Sequence, residues 1–302
     1  MTNPIIRLDY PDPEVIRVED TYYMISTTMH FMPGGAILRS YNLKDWELLT
    51  YLYDILGDTP EEMLDGGNIY GKGMWAPTMR YYKGRFYILF VANNTHKTYL
   101  FTSDNIMGPW KKSYVEGFYH DASLFFDDDD RKYIIYGNKT IYLTELNDTL
   151  TAPKEGGLHR VIVEDKDHPG LGYEGTHFYK INGRYYAFFI HSLRDRWFRT
   201  EACFYSDSLE GEFTGGDVLA CDMNYRGSGV AQGGIVDTPD GKWYGILFQD
   251  REAVGRLPVL VPVKFEDGKP VFGLDGNIPE EIETTDLKPG YKYEALYSSD
   301  DF

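Results

Sequence analysis

A phrase that recurs five times along the chain constrains the fold more than any other feature of the sequence. In each copy a short apolar run leads into a turn rich in Asp, Gly, Asn or Lys, and an aromatic pair or near-pair and a second apolar run follow. This pattern is typical of two antiparallel strands joined by a tight turn. The copies are PEVIRVEDTYYMIS, PTMRYYKGRFYILFV, ASLFFDDDDRKYIIYG, GTHFYKINGRYYAFFI and GGIVDTPDGKWYGILF.

The spacing of the copies predicts the architecture. Each copy contains an anchoring tyrosine, and at least one more strand candidate follows each hairpin; the anchors are Tyr23, Tyr87, Tyr133, Tyr186 and Tyr244. A multi-strand unit with a period of roughly fifty to sixty residues is typical of a β-propeller blade. We therefore predict an all-β fold, a single five-bladed β-propeller over residues 1–302. The competing architecture, a β-sandwich, fits five similar hairpins poorly.

Two segments and the end of the chain are expected to lie outside the blades. Residues 57–72 and 161–172 are predicted to be loops between blades, and a polar tail begins at about residue 275. No second domain is expected, and in particular no C-terminal β-sandwich.

Composition and charge narrow the classes of partner. The abundance of Tyr, Phe and Trp favours strands, and the net charge of −17 disfavours nucleic acid and anionic membranes. Two cysteines, Cys203 and Cys221, are too few for a disulfide framework or a cysteine metal site, although one bond between them stays open. No apolar run has the length of a membrane span and no signal peptide is visible, so a cytoplasmic location is expected.

One position of the repeat collects carboxylic acids. Eleven or twelve residues before the anchoring tyrosines stand Asp12, Ala76, Asp121, Glu174 and Gln232. The innermost strand of each propeller blade runs along the central axis, so residues that begin these strands surround one mouth of the channel. Like charges around one pocket raise each other's pKa, and a cluster of three acids therefore indicates a use. A bound metal ion is the non-catalytic alternative.

Carboxyl groups that face each other across a pocket suit glycoside hydrolysis. One protonated group gives its proton to the leaving oxygen, one ionised group activates water, and a third acid can tune and orient a neighbour. Acids on different strands of a broad ring are expected to be far apart. A separation of roughly 6.5–9.5 Å leaves room for water and predicts inversion at the anomeric carbon.

Five phrases, in order along nearly the whole chain, resemble glycoside hydrolase family 43, the five-bladed propellers that include β-xylosidases and α-L-arabinofuranosidases. They are NPIIRLDYPDPEVIRVEDTYYM, MWAPTMRYY, HDASLFFDDDDRKY, YEGTHFYKINGRYY and VGRLPVLVPVKFEDGKP. By this resemblance Asp12 is the general base and Glu174 is the general acid. Asp121 is the acid that tunes the pKa of a neighbour and orients it.

The resemblance also implies substrate contacts. Trp75 is expected to wall the sugar pocket, and Arg256 to contact sugar hydroxyls and the acidic cluster. His177 either braces the region near Glu174 or is a packed histidine, and Phe31 either lines the mouth or packs inward.

Gln232 is also expected among the substrate-binding residues. It replaces a histidine that in several family members helps to hold a metal ion on the axis. A glutamine carbonyl suits calcium without demanding it. No cofactor is therefore expected to be required, although an axial calcium ion stays open.

The expected function is that of an inverting, exo-acting glycoside hydrolase. It would release terminal β-D-xylosyl or α-L-arabinofuranosyl residues, or both, from oligosaccharides derived from xylan or arabinoxylan. The alternatives are an endo-acting arabinanase of the same fold and a non-catalytic carbohydrate-binding propeller. Retaining fructan-cleaving propellers carry an Asn-Asp-Pro-Asn-Gly type of phrase and sialidase-like propellers a repeated Ser-x-Asp-x-Gly-x-x-Trp box, and this sequence matches neither.

Overall fold

The computed structural model describes residues 2–297 and contains five antiparallel sheets of four strands each. Every sheet is built from four strands that are consecutive in the chain. The predicted all-β, five-bladed propeller is confirmed. Within residues 2–297, the helical structure amounts to a single 3-10 turn at Glu252–Val254, and no helix is long and apolar enough to cross a bilayer.

The strands follow the five predicted hairpins, with two outer strands added to each. Blade 1 contains β1 (Glu14–Val18), β2 (Thr21–Ile25), β3 (Gly34–Ser40) and β4 (Glu47–Tyr53). Blade 2 contains β5 (Met74–Tyr82), β6 (Arg85–Ala92), β7 (Lys97–Ser103) and β8 (Lys111–Val115). Blade 3 contains β9 (Ser123–Phe126), β10 (Lys132–Asn138), β11 (Thr140–Leu146) and β12 (His159–Glu164). Blade 4 contains β13 (Glu174–Ile181), β14 (Arg184–Ser192), β15 (Arg199–Ser206) and β16 (Thr214–Leu219). Blade 5 contains β17 (Val230–Asp237), β18 (Trp243–Asp250), β19 (Arg256–Glu266) and β20 (Lys269–Phe272).

The first strands of the blades form a closed ring around the axis. β1, β5, β9, β13 and β17 each contact the next in this order, and β17 contacts β1. The segment before β1 adds a second link between the ends of the propeller. There the amide of Ile5 donates a hydrogen bond to the carbonyl of Pro258 at 3.0 Å, and the amide of Tyr10 donates one to the carbonyl of Arg256 at 3.0 Å. The start of the chain is thus attached to its last blade.

The hydrophobic core lies mainly between neighbouring blades. Apolar side chains on facing sheets interlock, as where Ile37 of blade 1 shares a buried cluster with Phe90 of blade 2. Between blades 3 and 4, Phe125 and Phe178 meet edge to face with ring centroids 5.1 Å apart. Burying such surface is the main driving force for folding, and it holds each inner strand at a set angle to the axis.

Two expectations about the segments outside the blades need correction. Residues 57–72 contain no strand, as predicted, but residues 161–164 belong to β12, so the connection to blade 4 is 165–173. The tail is not simply polar, because Ile282, Leu287 and Leu296 pack against the buried cluster that blades 1 and 5 share. The carboxylate of Glu47 also accepts a hydrogen bond from the amide of Glu294 at 3.0 Å. Residues 298–302 of the expected tail lie outside the described residues. Both cysteines are free thiols.

Candidate active site

A shared backbone feature opens the inner strand of every blade. One residue there has a positive φ: 50° at Asp12, 25° at Ala76, 48° at Asp121, 64° at Gly175 and 58° at Gln232. Such values are uncommon for residues other than glycine. In blades 2, 4 and 5 the register between the inner strand and the second strand also shifts at this residue, as it does at a β-bulge. Bulges of this kind re-aim side chains. Three of the five residues with a positive φ line one pocket: Asp12, Asp121 and Gln232.

Glu174 is not the blade 4 member of this set, which corrects the alignment by residue count. In blade 4, His177 pairs with Phe188, which lies two residues after the anchoring Tyr186. In blade 1, Glu14 pairs with the residue that lies two after the anchoring tyrosine, so His177 and Glu14 occupy equivalent positions. The equivalent position in blade 4 is therefore Gly175. The count differed because β13 and β14 are joined by a two-residue turn, as in blades 1 and 2, whereas blades 3 and 5 have five-residue turns.

Glu174 instead belongs to a second ring of positions, one residue earlier in each blade. Its equivalents include Trp75 and His120, which immediately precede the positive-φ residues Ala76 and Asp121. All three of these preceding side chains line the same pocket. Two successive positions of the repeat, the positive-φ residue and the residue before it, thus contribute side chains to the pocket wall.

The pocket has a volume of about 340 Å³ and lies where the inner strands begin. This volume falls at the lower end of the range of about 300–1,000 Å³ that is usual for small-molecule sites. Six of the expected residues line it, namely Asp12, Trp75, Asp121, Glu174, Gln232 and Arg256.

Asp12 is held through both of its carboxylate oxygens. Oδ1 accepts a hydrogen bond from Nη1 of Arg256 at 2.8 Å, and Oδ2 accepts one from the hydroxyl of Thr27 at 2.7 Å. The charge of Asp12 is the main cause that raises the pKa of Arg256. The guanidinium carbon of Arg256 also lies 4.8 Å from the ring centroid of Phe248. This carboxylate is buried, charge-paired and fixed in orientation.

Asp121 and Glu174 meet through a histidine. His120 Nε2 lies 3.4 Å from Oε2 of Glu174 and 3.6 Å from Oδ2 of Asp121. Burial lowers the pKa of His120, but the hydrogen bond to Glu174 and the charges of the carboxylates outweigh it and raise that pKa to about 9. The amide of Asn138 also donates to Oε2 of Glu174. A cation and a neutral donor therefore hold Glu174 from one side.

Asp121 is the most protected of the three acids. Burial raises its pKa to about 7, the charges of Glu174 and Asp12 add to this effect, and His120 opposes it. Its carboxyl therefore retains a proton up to near neutral pH. The pocket consequently contains acids in unlike environments, which is how proteins assign different roles to similar groups.

The comparison with known proteins decides the family. A family model described as "Glycosyl hydrolases family 43" matches residues 1–270, a range that includes the inner strands of all five blades. The chain belongs to glycoside hydrolase family 43.

Relatives within family 43 include two bacterial enzymes. The chain is 29% identical to a β-xylosidase of Formosa agariphila, over 99% of this chain and 56% of that protein. It is 28% identical to a non-reducing end α-L-arabinofuranosidase of Bacteroides ovatus, over 99% of this chain and 58% of that protein. A solved bifunctional GH43-CE structure from Bacteroides eggerthii is 44% identical, with a TM-score of 0.88 over 96% of this chain and 38% of that one. The chain thus spans a little more than half the length of the first two relatives.

Several pocket residues of this family 43 chain escaped the sequence reasoning. They are His120, Asn138, Trp197 and Arg199. His120 stands directly before Asp121 in HDASLFF, and its position in the second ring of the repeat was the signal that could have found it. Asn138 ends β10, and Trp197 lies in the loop between β14 and β15. Neither belongs to the repeated phrase.

Two of the expected binding residues lie elsewhere. Phe31 is 64% exposed in the loop between β2 and β3, where it stacks on His30 with ring centroids 4.4 Å apart. It does not line the pocket. His177 is buried with Nδ1 3.3 Å from Oε1 of Glu14, so it contacts Glu14 rather than Glu174. Of the two expectations for His177, that of a packed histidine matches this buried position.

A buried ionic network lies on the inner strands beyond the pocket. Glu14 is fully buried, and its Oε2 lies 2.8 Å from Nη1 of Arg80 and accepts a hydrogen bond from the hydroxyl of Thr78 at 3.1 Å. The hydroxyl of Tyr179 donates to Oε1 at 3.3 Å. Burial alone would raise the pKa of Glu14, but the charges of Arg80 and His177 lower it to about 2.

The oxygens of Glu14, the buried acid beyond the pocket, are not free to hold an axial calcium ion. Calcium takes six to eight oxygen ligands, whereas the oxygens of Glu14 are already bonded to protein donors and face the cation of Arg80. In the pocket, His120, Asp121 and Glu174 offer ligand atoms within 4.8 Å of one another. Among residues 2–297 this trio is the group that could hold a metal ion.

Proposed function

We propose that this family 43 chain is an inverting, exo-acting glycoside hydrolase. Its substrates are xylan- or arabinoxylan-derived oligosaccharides, from which it releases terminal β-D-xylosyl residues, α-L-arabinofuranosyl residues, or both. The observation that carries the proposal is the convergence of Asp12, Asp121 and Glu174 in one small pocket with Arg256. The names of the relatives from Formosa agariphila and Bacteroides ovatus support the choice of sugars.

Asp12 suits the role of general base. Hydrogen bonds from Arg256 and Thr27 stabilise its negative charge and leave it little freedom to rotate. In the proposed reaction Asp12 takes a proton from a water molecule, and the water oxygen bonds to the anomeric carbon as the glycosidic bond breaks. Attack from the side opposite the leaving group inverts the configuration.

Glu174 suits the role of general acid. His120 and Asn138 both reach Oε2, which leaves Oε1 to carry the proton that passes to the departing glycosidic oxygen. Oδ2 of Asp121 lies 3.6 Å from the same nitrogen of His120, so this histidine holds both acids in one cluster. Proton transfer from a positioned acid typically accelerates such reactions by about 10²–10⁴-fold.

The size of the pocket and the name of one relative support exo action. The pocket has a volume of about 340 Å³, which suits a single terminal sugar better than several sugar units. The relative from Bacteroides ovatus is named a non-reducing end α-L-arabinofuranosidase.

Product analysis tests the proposal. The purified chain is incubated with linear xylo-oligosaccharides, linear arabinan and arabinoxylan fragments, and early products are followed by chromatography and proton NMR. We expect monosaccharide as the first product, and the α-anomer from β-xylosides. Mixed oligomers as first products would establish the endo alternative, and a first-formed β-anomer would exclude inversion. Absence of hydrolysis on every substrate would favour a carbohydrate-binding propeller.

A further inference from the structure

An exposed tryptophan stands at the rim of the pocket. Trp197 is 57% exposed and nevertheless lines the same pocket as the three acids. Tyr70, an even more exposed aromatic residue at 79%, does not line it. A single exposed apolar side chain needs no explanation by itself, but an indole at the mouth of a pocket lined by acids offers a flat apolar face to a ligand.

The ring of Trp197 is supported from one side. The guanidinium carbon of Arg199 lies 5.5 Å from its centroid, and Nη2 of Arg199 is held by Asp250 Oδ2 at 3.0 Å. The loop itself is closed by a backbone hydrogen bond from Leu193 to Phe198 at 3.1 Å. A tryptophan supported in this way presents a flat apolar surface with little loss of side-chain entropy on binding.

Trp197 belongs to the same blade as Glu174. Glu174 pairs with Ile190 on β14, and the loop that carries Trp197 begins just after this strand, at residue 193. The general acid marks the side from which the leaving group departs, because it must reach the glycosidic oxygen. In an exo-acting pocket the terminal sugar lies inside and the leaving group extends through the mouth, so a rim residue on the blade of Glu174 is placed to meet the leaving group.

We propose that Trp197 is the platform of a leaving-group subsite, and that it stacks against the sugar ring that follows the cleaved bond. This inference rests on the proposed function. The ligand class is a neutral pyranose unit, whose C–H face packs on the indole while its hydroxyls stay in water. The platform favours oligosaccharides over substrates with small leaving groups, so Trp197 determines specificity rather than chemistry.

Two substrates that share the cleaved sugar separate these effects. Xylobiose carries a second xylose in the leaving-group position, whereas β-D-xylosyl fluoride releases only fluoride and has no group that reaches Trp197. We expect Trp197→Ala to lower kcat/KM for xylobiose by about tenfold or more, mainly through KM, and to lower the fluoride rate by a much smaller factor. Trp197→Phe should restore part of the loss. Tyr70→Ala, the matched control, should leave both rates unchanged.

The outcomes distinguish the platform from the parent proposal. Equal losses on both substrates would show that Trp197 supports the pocket generally, and an unchanged xylobiose rate would show that it binds nothing; either result overturns the inference. If the wild-type chain hydrolyses neither substrate, the result contradicts the proposed xylosidase activity and not the platform. Binding to Asp12→Asn then tests the platform alone, by tryptophan fluorescence titrated with xylobiose and with xylose. The platform predicts an additional change with xylobiose that Trp197→Phe removes, and the same response in both variants would contradict it.

Discussion

Arg256 and Asp12 are 244 residues apart in the chain, yet Nη1 of the first lies 2.8 Å from Oδ1 of the second. Arg256 begins β19 of the last blade, and Asp12 precedes β1 of the first. Closure of the propeller thus creates the charge pair, and the proposed base exists in its final form only when the ring is complete.

Replacement of Arg256 should impair catalysis more than folding. A hydrogen bond to a charged group contributes about 1.5–3 kcal/mol, so Arg256→Ala should lower kcat/KM by roughly 10–100-fold. Arg256→Lys keeps the charge but not the planar geometry and should recover only part of the rate. The measurement is hydrolysis of an activated aryl pentoside, with thermal unfolding as the check on the fold. Arg131→Lys, an exposed control, should be silent; full activity of Arg256→Ala would contradict the positioning role.

Removal of the proposed base and acid should have different consequences for different leaving groups. Asp12→Asn and Glu174→Gln should each reduce kcat/KM on xylobiose by about 10²–10⁴-fold. A good leaving group needs no proton, so Glu174→Gln should regain activity on a dinitrophenyl glycoside whereas Asp12→Asn should not. The exposed Asp20→Asn serves as the control. The reverse pattern would exchange the two assignments.

Asp121 should make the protein less stable as pH rises from about 4 to 7. Burial raises the pKa of Asp121 in the folded state to about 7, whereas an exposed aspartate has a pKa near 3.8, so over this interval the folded chain binds the extra proton. Stability is therefore lost with rising pH, by up to about 4 kcal/mol if the full shift is expressed. Urea unfolding at pH 4, 5.5 and 7 should show this slope in the wild type and a smaller one in Asp121→Asn. The exposed Asp128→Asn should keep the wild-type slope, and parallel slopes for all three proteins would refute the assignment.

The buried pair of Glu14 and Arg80 should stabilise the ring through mutual compensation. Removing one partner leaves the other charge buried and unpaired, which typically costs about 3–5 kcal/mol. Glu14→Gln and Arg80→Met should each lower the free energy of unfolding by such an amount, and the double variant by less than the sum. Urea denaturation of the four proteins measures the coupling. Asp104→Asn breaks the exposed pair with Arg85 and should change little; additive losses at Glu14 and Arg80 would argue against a direct pairing.

We also propose that catalysis needs no metal ion. The support is the donor set: the oxygens of Glu14 are bonded to protein groups, and His120 places its own positive charge between Asp121 and Glu174. Dialysis against EDTA should leave most of the activity. Complete loss that calcium restores would show that an ion does bind in or below the pocket, and His120→Asn would then be expected to change its affinity.

Local patterns explain how much of the fold was predictable. Strand alternation, turn residues and the fivefold recurrence are properties of neighbouring residues, and they predicted the five blades without knowledge of any contact. Asp12 and Asp121 were located for the same reason, since each has a positive φ and stands at a regular distance before its anchor.

The exact place of Glu174 required the tertiary structure. Its blade has a two-residue turn, so the count along the chain was one residue out, and register is decided by pairing between strands rather than by spacing. The bulge at Gly175 then determines which side chains enter the pocket. Glu174 was expected in the pocket and lines it, but its position in the ring differs from the expected one.

By itself, the sequence determined the blade architecture, the family and which three acids meet in one pocket, because these features belong to short repeated segments. Only the tertiary structure decided that Trp197 joins the pocket rim, that His177 turns to Glu14, and that the tail packs on blades 1 and 5. The physical reason is that these contacts join residues distant in the chain. They follow from closure of the ring and burial of apolar surface between blades, which no local pattern records.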